Sequence, residues 1–248
     1  MKVNYSPLGD KGIQLLFDTK ISKQTNRQIR VFSDYLKKNA IPGIEEMVPA
    51  YTTLTIFYLP EKISYQSLVD KLEKIKEAVQ WEDIGKSYTV FEIPTLYGGE
   101  VGPDIAEVAS YNGLTEEEVI KLHTSADYLI YMMGFVPGFP YLGGMDPKLT
   151  TPRRENPRSK IEAGSVGIAG EQTGVYPLET PGGWQIIGQT PIPLYNPEKE
   201  DPILLSAGNY LRFVPIDKKE FGEIKEAVEK GEYQVKKVVK EGEPDEIS

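Results

Sequence analysis

The chain has 248 residues, a formal net charge of −9, no cysteine and a single histidine, His123. Hydrophobic residues make up 40% and charged residues 26%, the balance of an ordinary soluble globular chain of one or two domains. The acidic surface disfavours nucleic-acid binding, and the missing cysteines exclude a disulfide scaffold, a thiolate metal site and a thiol nucleophile. A multi-histidine zinc site is excluded with them, so no metal is expected. The first residues, MKVNYSPLGDKG, have no apolar core, and the longest apolar run, Leu129 to Val136, is far short of the ~20 residues that span a bilayer. A cytoplasmic protein without membrane partners is expected.

Composition divides the chain near residue 88. Residues 1–88 hold four prolines, whereas residues 132–202 hold eleven. Val3–Tyr5 and Ile13–Phe17 read as strands around Pro7-Leu8-Gly9-Asp10. From Ser22 to Asn39, Ile29, Phe32 and Leu36 recur at helical spacing and form one apolar stripe. Ile44–Val48 and Thr52–Tyr58 read as paired strands. A second helix, capped by Ser64 and running to about Gln80, turns Leu68, Leu72, Ile75 and Val79 inward. Two helices among roughly four strands predict a small α+β domain over 1–88, of ferredoxin-like type.

The second domain is placed at 89–240, with 241–248 as a flexible tail. Tyr88–Ile93 reads as a strand ended by Pro94. A helical pair follows: Pro103 opens the first helix, Ile105 and Val108 point inward, and Asn112-Gly113 stops it. Thr115 and Glu118 form a capping box on the second helix, and Leu114 and Val119 a hydrophobic staple. Its Glu116-Glu117-Glu118 start would repel DNA. Short strands are predicted at Tyr128–Met133, Ser165–Ala169, Gly174–Leu178, Trp184–Ile187, Ile192–Tyr195 and Tyr210–Val214, the spacing of a closed or nearly closed β-barrel. Asp217 and Glu220 frame a last helix, with Phe221, Ile224 and Val228 inward and Gly231 as its stop. Tyr233–Val239 returns as a strand.

Three segments carry candidate chemistry. In MMGFVPGFPYLGGM, the rings Phe135, Phe139 and Tyr141 alternate with rigid turns, building an apolar wall that needs the barrel interior, a second protein or a ligand against it. TPRRENPRSK collects Arg153, Arg154, Arg158 and Lys160, a basic cluster suited either to a carboxylate or phosphate ligand or to internal ion pairs. Beyond it, Gln172, Thr173, Tyr176, Glu179, Trp184 and Gln189 offer amides, hydroxyls and an indole to a small amide or carboxylate. His123, at the end of its helix, is either a packing residue or an acid/base group. Neither GxxxxGK[ST] nor a strand-linked GxGxxG occurs, so the chain carries no recognisable ATP site.

Read together, GFVPGFPYLGG, TPRR, NPR and AGSVGIAGEQTGVYPLETPGGWQIIGQTP resemble the allophanate hydrolase subunit 1 family. NYSPLGDKGIQLLF, IPGIEEMVPAYTTLTIFY and YGGEVGPDIAEVASYNGLTEEEVIKLH extend the likeness over about residues 3–215. The resemblance implies that the barrel is cyclophilin-like. It implies two functions, which do not exclude each other. In the first, the chain is one component, the B subunit, of an ATP-dependent 5-oxoprolinase. That enzyme opens the lactam of 5-oxoproline to glutamate, and the other components are a homologous, cyclophilin-like C subunit together with an A subunit. In the second, the chain inhibits a sporulation histidine kinase by blocking its autophosphorylation. Related barrels are fused inside biotin-dependent urea carboxylases, but no biotin-carrier motif is present here. For the 5-oxoprolinase reading, Arg153, Arg154, Arg158, Gln172 and Tyr176 are the expected substrate-binding residues and His123 the expected proton shuttle. Phe135, Phe139, Tyr141 and Trp184 are the expected partner-binding rings. No cofactor is expected on this chain itself, and ATP is used by the complex.

Overall fold

The computed structural model describes residues 3–79, 81 and 87–241. The chain divides into two compact units, residues 1–86 and 87–248.

The first unit begins with a hairpin, β1 (Asn4–Leu8) and β2 (Gly12–Leu16), followed by α1 (Lys23–Lys38), β3 (Ile44–Pro49), β4 (Thr53–Tyr58) and α2 (Tyr65–Ala78). The sheet order is β1-β2-β4-β3, with every neighbour antiparallel. In β2-α1-β3-β4, β4 lies between β2 and β3, which is the split crossover of a ferredoxin-like sheet. The edge beside β2 is filled by β1 rather than by a strand after α2, so the ferredoxin-like arrangement appears in permuted order. Pro7 falls within β1 rather than in the turn, which an edge strand tolerates because one side of its backbone needs no partner.

Both helices start where a serine caps them. Ser22 accepts from Thr25 N–H, and Ser64 from Ser67 N–H. Ile29, Phe32 and Leu36 of α1 and Leu68 and Leu72 of α2 bury their stripes against Ile13, Leu15, Leu54 and Ile56 of the sheet. Each such side chain contributes about 1.5–3 kcal/mol by leaving water. Alternation on β4 buries Leu54, Ile56 and Tyr58 and leaves the residues between them half-exposed.

The second unit opens with the long strand β5 (Ser87–Tyr97), then α3 (Ile105–Asn112), α4 (Glu116–Thr124), β6 (Tyr128–Met133), β7 (Pro140–Gly143) and a 3-10 turn at Pro147–Leu149. β8 (Arg158–Ile161), β9 (Ser165–Ala169), β10 (Gln172–Val175), β11 (Thr180–Gly182), β12 (Gln185–Gln189), β13 (Tyr210–Pro215), α5 (Lys218–Glu229) and β14 (Lys237–Glu241) complete it. The main sheet runs β10-β9-β12-β5-β13-β6-β7, with β14 also paired to β5. β7 and β10, its two ends, lie side by side, so the sheet curls into a nearly closed barrel. β5 and β13 pair in parallel and the other ladders are antiparallel, which makes the barrel mixed.

Pro94 does not end its strand. Thr95 C=O accepts from Ile216 N–H on the β13 side, so Pro94 faces the other way. There β14 pairs only through Phe91 and β12 begins at Leu96, and the missing N–H falls in the gap between them. The expected strand at Gly174–Leu178 is shifted to Gln172–Val175, in a hairpin with β9. Ile192–Tyr195 forms no ladder. Ile192 and Leu194 are buried, but Pro191 and Pro193 remove donors, and only Tyr195 makes an isolated bridge, to Ile203. The strands β7, β8 and β11, three or four residues each, were too short to leave a periodic signal.

Local signals in the helices acted as their chemistry requires. Gly113 takes the left-handed conformation, φ 65°, that stops α3. Thr115 and Glu118, and Asp217 and Glu220, form complete capping boxes. On α5, however, Phe221, Ile224 and Val228 are half-buried rather than enclosed. Among the described residues no helix is long and apolar enough to cross a membrane. Of the expected tail at 241–248, Glu241 ends β14 and residues 242–248 lie outside the described residues.

Candidate functional site

β9, β10 and β12 have two working faces. Inward, Val166, Ile168, Val175 and Ile187 join the main core of the barrel. Outward, Ala169, Tyr176, Trp184 and Ile186 build a second, smaller core with Phe139 and Ile161. The aromatic run is therefore not a plug of the barrel interior, and its rings pack on the outer face of these strands.

Phe139 is the hub of that outer core. Phe135, Tyr141, Tyr176 and Trp184 all meet its ring edge-to-face at centroid distances of 5.8, 5.4, 5.9 and 5.8 Å. Each such pair adds about 0.5–1.5 kcal/mol beyond area burial. A cleft of about 200 Å³ opens beside the rings, lined by Phe135, Phe139, Tyr141, Arg153, Gln172 and Tyr176, with Pro181 to Trp184 closing one side. A Cβ at Gly182 would stand 2.6 Å from Tyr176 Oη and 2.8 Å from Ile161 Cδ1, so any larger residue there would push these side chains aside. Phe135 is 70% exposed and adopts a left-handed φ of 67°, a conformation that costs a side-chain-bearing residue about 1–2 kcal/mol.

Arg153, Gln172 and Tyr176, distant in sequence, thus reach one cleft together with the rings at 135, 139, 141 and 184. Phe139 and Trp184, expected to touch a partner, are buried at 3% and 8%, whereas Phe135 is exposed and Tyr141 half-buried, so these two rings are available for such contact. Tyr176 Oη has no hydrogen-bond partner among the described residues. Burial pushes its pKa up to about 12 against the opposing influence of Arg153, so it stands as a protonated donor.

Arg154 and Arg158 do not line the cleft. Asp104, just before α3, is buried, and its carboxylate takes Arg154 Nη1 on Oδ1 at 2.8 Å. Arg158 binds it bidentately, Nη2 on Oδ1 and Nη1 on Oδ2, both at 2.8 Å, and Ile186 N–H donates to Oδ2 at 2.6 Å. A buried carboxylate needs such partners, so these two guanidiniums are committed to it rather than to a ligand. Lys160 is likewise paired, with Glu162 and Glu179 on the surface. Arg153 has no carboxylate partner among the described residues.

His123 lies apart from the cleft, fully buried in the barrel. The reason is strand alternation: on β10, Gln172 faces the cleft and Thr173 the interior, where it meets the histidine. Thr173 Oγ1 donates to Gly167 C=O at 3.1 Å, so it accepts from His123 Nε2–H at 2.7 Å. Nδ1 is then unprotonated and accepts from Tyr97 Oη at 2.8 Å. Burial lowers the imidazole pKa to about 3, and the ring is neutral. It links α4 to β5 and β10 and touches no open space, so the proton-shuttle expectation gives way to a packing role.

Asp104 was not singled out from the sequence. An acidic residue before a helix reads as an ordinary N-cap, yet this one makes no side-chain capping bond. Nothing local signals that its partners lie 50 and 54 residues further on. Among the described residues no group of three or more His, Cys, Asp or Glu is placed to hold a metal ion.

Known proteins are similar to this chain in sequence and in fold. The model of the carboxyltransferase domain, subdomain C and D, matches residues 3–205. The chain is 45% identical over 239 residues to the 5-oxoprolinase B subunit of Bacillus subtilis, covering 91% of this chain and 99% of that protein. It is 38% identical over 212 residues to the 5-oxoprolinase B subunit of Haemophilus influenzae, covering 86% and 97%. Among solved structures, the conserved uncharacterized protein PH0987 from Pyrococcus horikoshii is 45% identical with a TM-score of 0.52, covering 88% of this chain and 100% of that one.

Proposed function

The chain belongs to the carboxyltransferase family of subdomains C and D, and we propose that it is the B subunit of a 5-oxoprolinase, acting in the cytoplasm with C and A subunits. The observation that carries this reading is the 45% identity, across nearly the whole of both chains, to the Bacillus subtilis B subunit. The cleft supports it. At about 200 Å³ it is smaller than the ~300–1,000 Å³ of drug-sized sites, which suits a small ring. Arg153 takes the carboxylate of 5-oxoproline, Tyr176 Oη donates to the lactam oxygen, Gln172 meets the lactam amide, and the aromatic wall covers the ring's apolar edge.

The lactam is resonance-stabilised and a poor electrophile. Transfer of the γ-phosphoryl of ATP to its oxygen releases ADP and makes the ring carbonyl carbon reactive. Water then adds to that carbon and the ring C–N bond breaks, which frees the amine and leaves an acyl phosphate, and a second water hydrolyses that acyl phosphate to glutamate and inorganic phosphate. The chain has no phosphate-binding loop motif of its own, so ATP is held by the partner subunits. The part played by this chain is to bind and orient the lactam. Phe135, exposed at the cleft, is the ring covered by a partner subunit.

The test is reconstitution. The purified chain is combined with the C and A subunits, and 5-oxoproline-dependent ADP release and glutamate formation are followed. Turnover is expected only when all three are present. Turnover by the isolated chain, or none from the complete mixture, overturns the reading.

A further inference from the structure

We infer that Asp104 is a positioning residue for Arg153, and that it leaves Arg153 as the cleft's one uncommitted positive charge among the described residues. This rests on the substrate-site reading above. Three segments meet at its carboxylate. From its own segment, Asp104 N–H donates to Ile186 C=O at 2.9 Å, and its Oδ2 accepts from Ile186 N–H at 2.6 Å. From the arginine segment it holds Arg154 and Arg158. The arginine segment is tied to the third segment twice more, by Arg154 N–H to Gly183 C=O at 2.8 Å and Gln185 Nε2 to Pro152 C=O at 3.1 Å.

Arg153 therefore stands between two anchored neighbours, and Trp184 between Gly183 and the Asp104-bound Ile186. One buried carboxylate fixes both a charged and an aromatic wall of the cleft. It also occupies two of the three clustered arginines, leaving Arg153 to meet a ligand with one carboxylate. The placement is not a capping requirement, because the side chain makes no bond to the start of α3.

The test uses the reconstituted three-subunit enzyme carrying Asp104→Asn, Arg153→Ala or both. Asp104→Asn preserves shape while removing the charge that holds the two guanidiniums. It is expected to raise KM for 5-oxoproline about 10- to 100-fold, the scale of a lost charge-assisted hydrogen bond, while kcat and the KM for ATP stay within about twofold. Arg153→Ala is expected to do the same. In the double variant, Asp104→Asn adds nothing further, because its effect passes through Arg153. Arg158→Gln, which loosens the clamp while keeping Asp104, is expected to shift the same KM and serves if Asp104→Asn does not fold. If Arg153→Ala raises KM and Asp104→Asn does not, the positioning role is overturned while the substrate site stands. A fall in kcat at constant KM, or effects that multiply in the double variant, also overturns it. If Arg153→Ala leaves KM unchanged, the substrate-site reading itself fails.

Discussion

Arg153 and Arg154 are adjacent in the chain and have opposite duties. Arg154 Nη1 donates to the buried carboxylate of Asp104 at 2.8 Å, while Arg153 lines the aromatic cleft. Stability and binding are therefore separable within one short basic segment. Arg153→Ala should change folding stability by no more than about 0.5 kcal/mol, as surface substitutions do. Arg158→Ala should cost about 2–3 kcal/mol. That is below the full penalty of stranding a buried charge, because Arg154 and the Ile186 N–H remain on Asp104. Urea unfolding of the isolated chain measures both, and equal losses would contradict the assignment.

The buried histidine makes the fold acid-sensitive in a defined window. The unfolded imidazole titrates near 6.5, and the folded one, penalised as a cation by burial, at about 3. Between these values the unfolded chain binds more protons. The contribution of neutral His123 is thus complete above about pH 6.5 and drains as pH falls toward 3, at up to about 1.4 kcal/mol per pH unit. Replacing His123 with Gln, which cannot titrate, should lower stability at pH 7.5 and flatten the stability profile between pH 6.5 and 4. An unflattened profile would show that the histidine is not held neutral in the core.

Tyr176 offers a cleaner separation. Its hydroxyl has no hydrogen-bond partner among the described residues, so Tyr176→Phe should fold with stability unchanged to within about 0.5 kcal/mol. In the reconstituted enzyme the KM for 5-oxoproline should rise several-fold, the worth of one neutral hydrogen bond. With its pKa raised to about 12, the hydroxyl stays protonated, and no tyrosine ionisation should appear in the pH profile of turnover below about pH 10. An unchanged KM would remove Tyr176 from the site.

Phe135 and Phe139 should respond in opposite ways. Phe139 is enclosed by four rings, and Phe139→Ala should cost about 3–5 kcal/mol. Phe135 is exposed and held at φ 67°. Asn tolerates that backbone better, so Phe135→Asn should leave stability level or raise it by up to about 1 kcal/mol, relief of strain offsetting one lost ring contact. Turnover in the complex should nevertheless fall, because this exposed ring is the one proposed to be covered by a partner subunit. Full activity with this variant would assign the ring no role.

What the residue order made legible was local. Helical spacing marked α1 and α2, serine and acidic caps marked where helices begin, and Gly113 marked where one stops. A β-branched and aromatic run marked β4, and short apolar runs between Gly- and Pro-rich turns marked β6 and β9. These signals work because a turn of helix or a pleat of strand is decided by neighbours within four residues. The very short strands were invisible because three or four residues hold no full period, and Pro94 misled because its tolerance depends on which strands lie alongside.

The clustering of rings, arginines and amides was likewise readable as a candidate site, since their types alone suit a small carboxylate. Which of them share a cleft was decided only in three dimensions. Strand alternation sent Gln172 outward and Thr173 inward, and with Thr173 went His123. Asp104, half a hundred residues away, chose which arginines were spent on the fold. A buried charge must be neutralised by whatever the tertiary structure brings within reach, and sequence distance carries no information about that reach.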